Sequence, residues 1–374
     1  FNFFLFSVFS LLELFDLNFT FRGLNLVLPL GISFYTFQSM GYIIDVYRGK
    51  FPAERSLAKF SLFVSFFPQI IQGPIAYYSD LAHQLYESHK LKYENLKWGA
   101  QLILWGLFKK IVIADRAVKM INIVSGDYRS FSGTYILLPI LMYALQLYAD
   151  FSGGIDICRG VGEMFGITMA ENFRRPYFSK SLTEYWHRWH ITLGEWLRNY
   201  LFYPLSLSKA FMKLGKNLKK RFGNHLGKIL PTSLASLITF IVIGIWHGAN
   251  WKYVAFGVWN GGVIMASALC EPALNRLVEK LKINRSTQLF GLFSMVRTFI
   301  LVLIGYYFDV AENFNSAMNM MRLSLVDFHI SDLINIEALK LLGLYKFDYL
   351  VLLIGIVIIF ISSLKQEKTG RRIR

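Results

Sequence analysis

The chain has 374 residues, 54% of them hydrophobic and only 17% charged, with 34 phenylalanines and a mean hydropathy of +0.40. A soluble domain of this length carries roughly 25% charged residues, so the composition excludes an ordinary soluble enzyme and points to a membrane protein. The formal charge of +16 does not indicate nucleic-acid binding, because the basic residues lie between apolar runs rather than on a soluble fold.

In chain order, residues 1–15 form a fragmentary apolar segment interrupted by Glu13. It starts at Phe1 without the charged region or cleavage site of a signal peptide, so the natural chain is expected to begin earlier. Residues 23–44, 60–79, 130–149 and 349–364 hold no group charged at neutral pH, and 231–251 hold none apart from neutral His247. Weaker candidates are 98–114, interrupted by Lys109 and Lys110, then 253–270, and 288–308 with Arg297 inside. A spanning helix needs about 20 apolar residues, which predicts roughly eight to ten crossings or re-entrant pieces. No repeat or linker divides the chain, so one integral domain over 1–374 is expected.

Several places interrupt the apolar pattern. "SFFPQIIQGPIAYYSDL" holds Pro68, Gly73 and Pro74, which predicts a kinked or re-entrant segment beside a pore or tunnel. "DFSGGID" reads as the end of a span, with Asp150 and Asp156 flanking a Ser-Gly-Gly turn. Residues 181–205 read as an amphipathic helix ended by Pro204. Its tryptophans and tyrosines suit either the membrane–water interface or packing around a polar cavity inside the bundle. "KAFMKLGKNLKKRFGNHLGK" has seven Lys/Arg and no acid, and the tail "KQEKTGRRIR" is basic too. The positive-inside rule makes both a cytoplasmic loop and tail. Cys158 and Cys270 read as buried reduced thiols.

The seven histidines are scarce, and three sit beside tryptophan. His247 lies in "IGIWHGANW"; a neutral buried imidazole there serves either as a general base for a hydroxyl or as a packing residue. Gly244 and Gly248 on the same helical face would let a helix or ligand come close. His187 and His190, three apart, fall on adjacent positions of one helix face. They suggest a metal pair, but no HExxH and no further ligand completes a zinc site, so no metal is expected. No GxSxG, Walker or Rossmann pattern is present, which favours direct attack on an already activated donor.

Four segments, "FFPQIIQGPI", "QLYADFSGGIDICRGVGEMFGI", "ENFRRPYFSKSLTEYWHRWHITLGEWLRNYLFYPL" and "IWHGANWKYVAFGVWNGG", occur in that order. Together they resemble the membrane-bound O-acyltransferase superfamily, in its bacterial branch of alginate O-acetylation and teichoic-acid D-alanylation proteins. The resemblance covers residues 65–262. It implies an all-α polytopic membrane protein, a bundle of tilted and re-entrant helices around a central tunnel. That tunnel joins a cytoplasmic thioester donor to an extracytoplasmic acceptor. It assigns His247 and His190 as catalytic, and gives His187 no role. Asp150, Asp156, Asn172, Arg188, Trp189, Arg198, Trp246 and Asn250 then either bind substrate and line the tunnel or lock helices together.

The resemblance implies no bound cofactor. The donor is acetyl-CoA, or alternatively a phosphopantetheinyl carrier thioester carrying D-alanine. The acceptor is a cell-surface polysaccharide or wall polymer, reached directly or through an extracytoplasmic SGNH-type acetyltransferase partner. The setting is membrane lipid of a bacterial plasma membrane, with no nucleic acid. "LGEWLRNYLFYPLSLSK" departs from the family pattern at Asn199 and in its "SLSK" end, which leaves acetyl and D-alanyl transfer both open. A polytopic transporter with broken helices is the non-enzyme alternative.

Overall fold

The computed structural model describes residues 31–335 and 339–370, so the apolar start and the first part of the 23–44 run lie outside the described residues. The described residues are helical with no β-strand. They comprise α1 (Ile32–Tyr47), α2 (Leu57–Val64), α3 (Tyr78–Tyr86), α4 (Tyr93–Leu107), α5 (Asp115–Gly126) and α6 (Gly133–Met164). These are followed by α7 (Leu182–Arg188), α8 (Ile191–Leu197), α9 (Tyr203–Ser206), α10 (Lys209–His247) and α11 (Trp251–Lys280). Last come α12 (Gln288–Val310), α13 (Phe314–Val326) and α14 (Lys346–Thr369). Among the described residues five helices, α6, α10, α11, α12 and α14, are long and apolar enough to cross a membrane. The chain is an all-α polytopic membrane protein.

The weaker sequence candidates 253–270 and 288–308 are two of these five spans, while 60–79 is none. There α2 ends at Val64, and turns and extended chain pass Pro68–Pro74 before α3. The broken backbone expected at the two prolines is present. Residues 98–114 divide into α4 and a π-helical turn, Phe108–Ala114, that leads into α5. The wider turn lets consecutive lysines part. Lys109 enters the core, 3% exposed and 2.7 Å from Asp156, whereas Lys110 points outward to Asp150 and Asp115.

Three expectations are corrected. "DFSGGID" is no turn: α6 runs through it unbroken to Met164. A Cβ on Gly153 would meet the Gly106 carbonyl oxygen at 2.8 Å and one on Gly160 the Gly99 oxygen at 2.6 Å. Those glycines let α4 and α6 pack backbone to backbone, as small residues do between membrane helices, instead of ending a helix. The basic run 209–228 is the first half of α10 rather than a loop, kinked at Gly223 (φ 87°). Finally, Cys270 is exposed; only Cys158 is partly covered, donating from Sγ to the Gln72 carbonyl.

The core lies where α6 meets α5, α12 and the 182–189 segment, with Ile136, Ile140, Ala144, Tyr185, Trp189 and Tyr306 buried together. Within it the Tyr306 hydroxyl lies 2.8 Å from that of Tyr185 and 3.1 Å from that of Tyr177, and Tyr177 donates to the Ala144 carbonyl. These bonds satisfy phenols that would be costly to bury alone.

Candidate active site

Residues 181–205 do not form one helix. Ser181 caps α7 by accepting from the Glu184 N–H, and α7 stops at Arg188. His190 then takes left-handed backbone angles (φ 42°, ψ 57°), and α8 starts a new direction. The break separates His187 from His190: the first lies exposed at the outside of α7, the second is 4% exposed. The shared helix face expected from their spacing is therefore absent. A further π-helical turn, Arg198–Phe202, follows, and Pro204 sits inside α9 rather than ending it. Trp189 and Trp196 are each 7% exposed, so they are interior walls, not interface anchors.

A non-glycine residue in the left-handed region costs about 1–2 kcal/mol, and the surroundings hold His190 there. The extended segment beginning at Asn172 runs antiparallel to 188–191. Phe173 bridges Trp189, the Arg174 N–H donates to the Arg188 carbonyl (2.9 Å), and the Ile191 N–H donates to the Asn172 carbonyl (3.0 Å). Asn172 Oδ1 accepts from the Thr192 N–H (2.9 Å) and hydroxyl (2.6 Å), and Thr192 Oγ1 in turn accepts from the Ile75 N–H (3.0 Å). This ties the broken 68–74 segment to the His190 turn. From the other side Glu367 of α14 accepts from Arg175 (2.6 Å) and from both terminal nitrogens of Arg188 (3.1 Å each).

His190 packs edge-on against Phe151 (4.8 Å between ring centres), and both its ring nitrogens are buried without a hydrogen-bond partner. Burial, and then the charge of nearby His247, push its pKa down to about 3, so the ring is neutral at physiological pH. Trp246 lies between the two histidines, its ring centre 6.4 Å from His190 and 5.1 Å from His247. Its Nε1 is also buried without a partner. His247 is the last residue of α10, so it does not stand mid-span as its apolar flanks suggested. The ring rests on Tyr253 and Phe256 (6.0 and 5.3 Å) but is itself accessible. Gly244 abuts the Tyr253 carbonyl and so brings α11 against α10, whereas Gly248 lies beyond the helix end in extended backbone.

The structure brings His190, Trp246 and His247 together. The remaining expected site residues separate into two kinds. Asp150 pairs with Lys110 (2.8 Å), Arg188 pairs with Glu184 and Glu367, and Asn250 caps α11 by accepting from the Lys252 N–H. The first two tie separate segments together, and the third caps the start of its own helix. Asp156 and Asn172 line a cavity of about 640 Å³ between α4, α6 and α14, where Lys109 and Arg159 both reach Asp156. Arg198 lines a second cavity of about 490 Å³, between the α7–α9 segment and helices α10 and α11. Sequence reasoning missed Thr192, Phe151 and Glu367. Thr192 stands two residues after His190 inside a quoted motif, but nothing local says that its hydroxyl holds the turn.

The sequence profile of the membrane-bound O-acyltransferase family matches residues 52–308. The chain is 34% identical over 345 residues to a protein of Azotobacter vinelandii named as a probable alginate O-acetylase, covering 91% of this chain and 62% of that one. It is 30% identical to a peptidoglycan O-acetyltransferase of Helicobacter pylori, covering 81% of this chain and 58% of the relative. To a teichoic acid D-alanyltransferase of Bacillus subtilis it is 28% identical, covering 78% and 71%. The chain thus spans about three fifths of the length of the first two relatives.

Proposed function

Since the chain belongs to the membrane-bound O-acyltransferase family, we propose that it moves an acyl group, most simply acetyl, from a thioester onto hydroxyls of a cell-surface polysaccharide or wall polymer. The observation that carries this reading is the accessible His247 ring beside the buried, neutral and unpartnered His190, with one indole between them. A neutral imidazole is the form that can take a proton from a hydroxyl as its oxygen attacks the thioester carbonyl. The new C–O bond forms, the C–S bond breaks, and the thiolate leaves. The proton held on His247 then returns to the sulfur, so no charge accumulates. His190, held by the Asn172–Thr192 brace, would hydrogen-bond a group that develops charge beside His247.

The donor would approach from the end of α10 that carries the basic run, the side the positive-inside rule makes cytoplasmic in a bacterial plasma membrane. The acceptor, or an SGNH-type acetyltransferase partner that relays the group, would work at the His247 end. Acetyl is preferred to D-alanyl because the two acetyl-transferring relatives are the more similar ones. The test is transfer of labelled acetyl from acetyl-CoA to polymer in proteoliposomes by the wild type and His247→Ala. Full transfer by the variant sinks the base assignment. Transfer from a D-alanyl carrier protein alone replaces acetyl with D-alanine, and solute flux without any thioester turnover would make the protein a transporter.

A further inference from the structure

Two cavities adjoin along α6 and α14. The 640 Å³ cavity between α4, α6 and α14 and a groove of about 610 Å³ between α6, α12 and α14 share Tyr148, Ile359 and Ser363 in their linings. Along α6 the character changes at Tyr148. Before it Leu141, Met142, Ala144 and Leu145 line the groove; after it Ser152, Asp156 and Arg159 line the cavity, toward the helix end at Met164. Helix α14 adds Lys365 and Gln366 to the cavity near its own end, where the chain leads into the basic tail that the positive-inside rule makes cytoplasmic.

The groove lining is apolar apart from Tyr148, Arg175, Tyr177 and Ser363, and of these Arg175 is paired with Glu367 and Tyr177 donates to the Ala144 carbonyl. Leu292, Val296 and Phe360 on its wall are each at least half exposed, so it opens on the outer face of the bundle, where lipid chains lie. Its α14 side runs from Ile356 to Leu364, about 12 Å of helix, against roughly 15 Å for the hydrocarbon of one leaflet. The cavity differs in charge. Lys109, Arg159 and Lys365 outnumber Asp156 and Glu171 in its lining by three to two, and Glu171 is also held by Arg174 (2.9 Å). Asp156 is reached by both Lys109 (2.7 Å) and Arg159 (3.8 Å). Basic pockets between membrane helices on the cytoplasmic side suit anionic head groups.

We propose that the cavity and the groove together hold one anionic phospholipid of the cytoplasmic leaflet, its phosphate among the cations Arg159 and Lys365 and one acyl chain in the groove. An amphiphile with an anion at its head matches a basic cavity that adjoins an apolar groove open to the bilayer. A soluble anion would make no use of the groove, and a neutral lipid would leave the surplus of positive charge unanswered. Asn172 and Phe173 line the cavity as well, and they brace the His190 turn through Thr192 and Trp189, so the bound lipid buttresses the segment that carries His190.

The test reads binding, whatever reaction the protein performs. The full chain, purified in detergent and stripped of lipid, is titrated with phosphatidylglycerol and with phosphatidylcholine, and native mass spectrometry gives the number bound and the apparent Kd of each. Wild type should retain one phosphatidylglycerol at least about 10-fold more tightly than phosphatidylcholine. Arg159→Gln should weaken phosphatidylglycerol about 10- to 100-fold, the effect of losing one charge-assisted contact. Lys365→Gln, at an exposed position, should weaken it about fivefold, and neither variant should change phosphatidylcholine binding. Val296→Trp fills the groove from its exposed side and should release phosphatidylglycerol while an unfolding temperature near wild type shows the variant folded. If Arg159→Gln does not fold, Lys365→Gln and Val296→Trp decide. Equal affinity of the wild type for both lipids, or phosphatidylglycerol binding that neither Lys365→Gln nor Val296→Trp alters, overturns the assignment. Displacement of phosphatidylglycerol by inorganic phosphate overturns it too, because the cavity then serves a soluble anion.

Discussion

The indole of Trp246 stands between two imidazoles, 6.4 Å from His190 and 5.1 Å from His247, with its own N–H buried and unbonded. His190 and Trp246 thus bury three ring nitrogens without a hydrogen-bond partner among the described residues, beside the exposed ring of His247. Buried polar atoms normally find partners, and exceptions of this kind mark places where a ligand supplies them.

His247→Ala should lower kcat by about 10²–10⁴-fold, the usual contribution of a positioned general base, with the donor KM unchanged. Steady-state acetyl transfer measures both. A KM effect with kcat intact would make His247 a binding residue instead.

Thr192→Val keeps shape but removes the hydroxyl between Asn172 and the Ile75 N–H. One buried amide is left unpaired, at a cost of about 1–3 kcal/mol. The expected result is a lower unfolding temperature together with a fall in kcat, because His190 loses part of the brace that fixes its left-handed turn. Thr192→Ser should restore both. Normal kcat in a destabilised Thr192→Val would separate the brace from the chemistry.

The pH dependence of stability has a definite sign at His190. Its folded pKa of about 3 lies below the ordinary 6.5, so the unfolded chain binds a proton first as pH falls. Stability is therefore complete above about pH 7 and is lost progressively as pH drops from 6.5 toward 3, by about 2 kcal/mol at pH 5. His190→Gln should show a shallower loss between pH 7 and 5 in thermal unfolding. Identical slopes would show that His190 is not the buried group being charged.

Gly244→Ala would drive a methyl group into the Tyr253 carbonyl, where α10 and α11 meet. Backbone cannot yield there as a flexible side chain can, so a destabilisation of about 1–3 kcal/mol is expected. His247, one turn later, should lose activity with it. Gly262→Ala, on the same α11 but facing open space, should be neutral in both assays and serves as the control.

Hydropathy and motif order by themselves determined the class of this protein, most of its described spans and the broken backbone at Pro68–Pro74, and they singled out His190 and His247, which the structure brings to either side of Trp246. Those properties are local: an apolar run longer than a membrane is thick must be satisfied within its own helix, and a proline interrupts a helix wherever it stands. What the tertiary structure decided depended on neighbours distant in sequence. "DFSGGID" remains helical because Gly99 and Gly106 of α4 lie against its glycines, where a turn was expected from the same residues. His187 and His190 part because α7 ends between them and Asn172, 18 residues before His190, braces the left-handed backbone at His190. Arg188 meets Glu184 and Glu367, whereas Arg198 lines a cavity against α10, although they lie ten residues apart in one segment. Spacing shows which residues can share a face; what each side chain then meets is set by the helices packed across from it, as Glu367 of α14 is for Arg188.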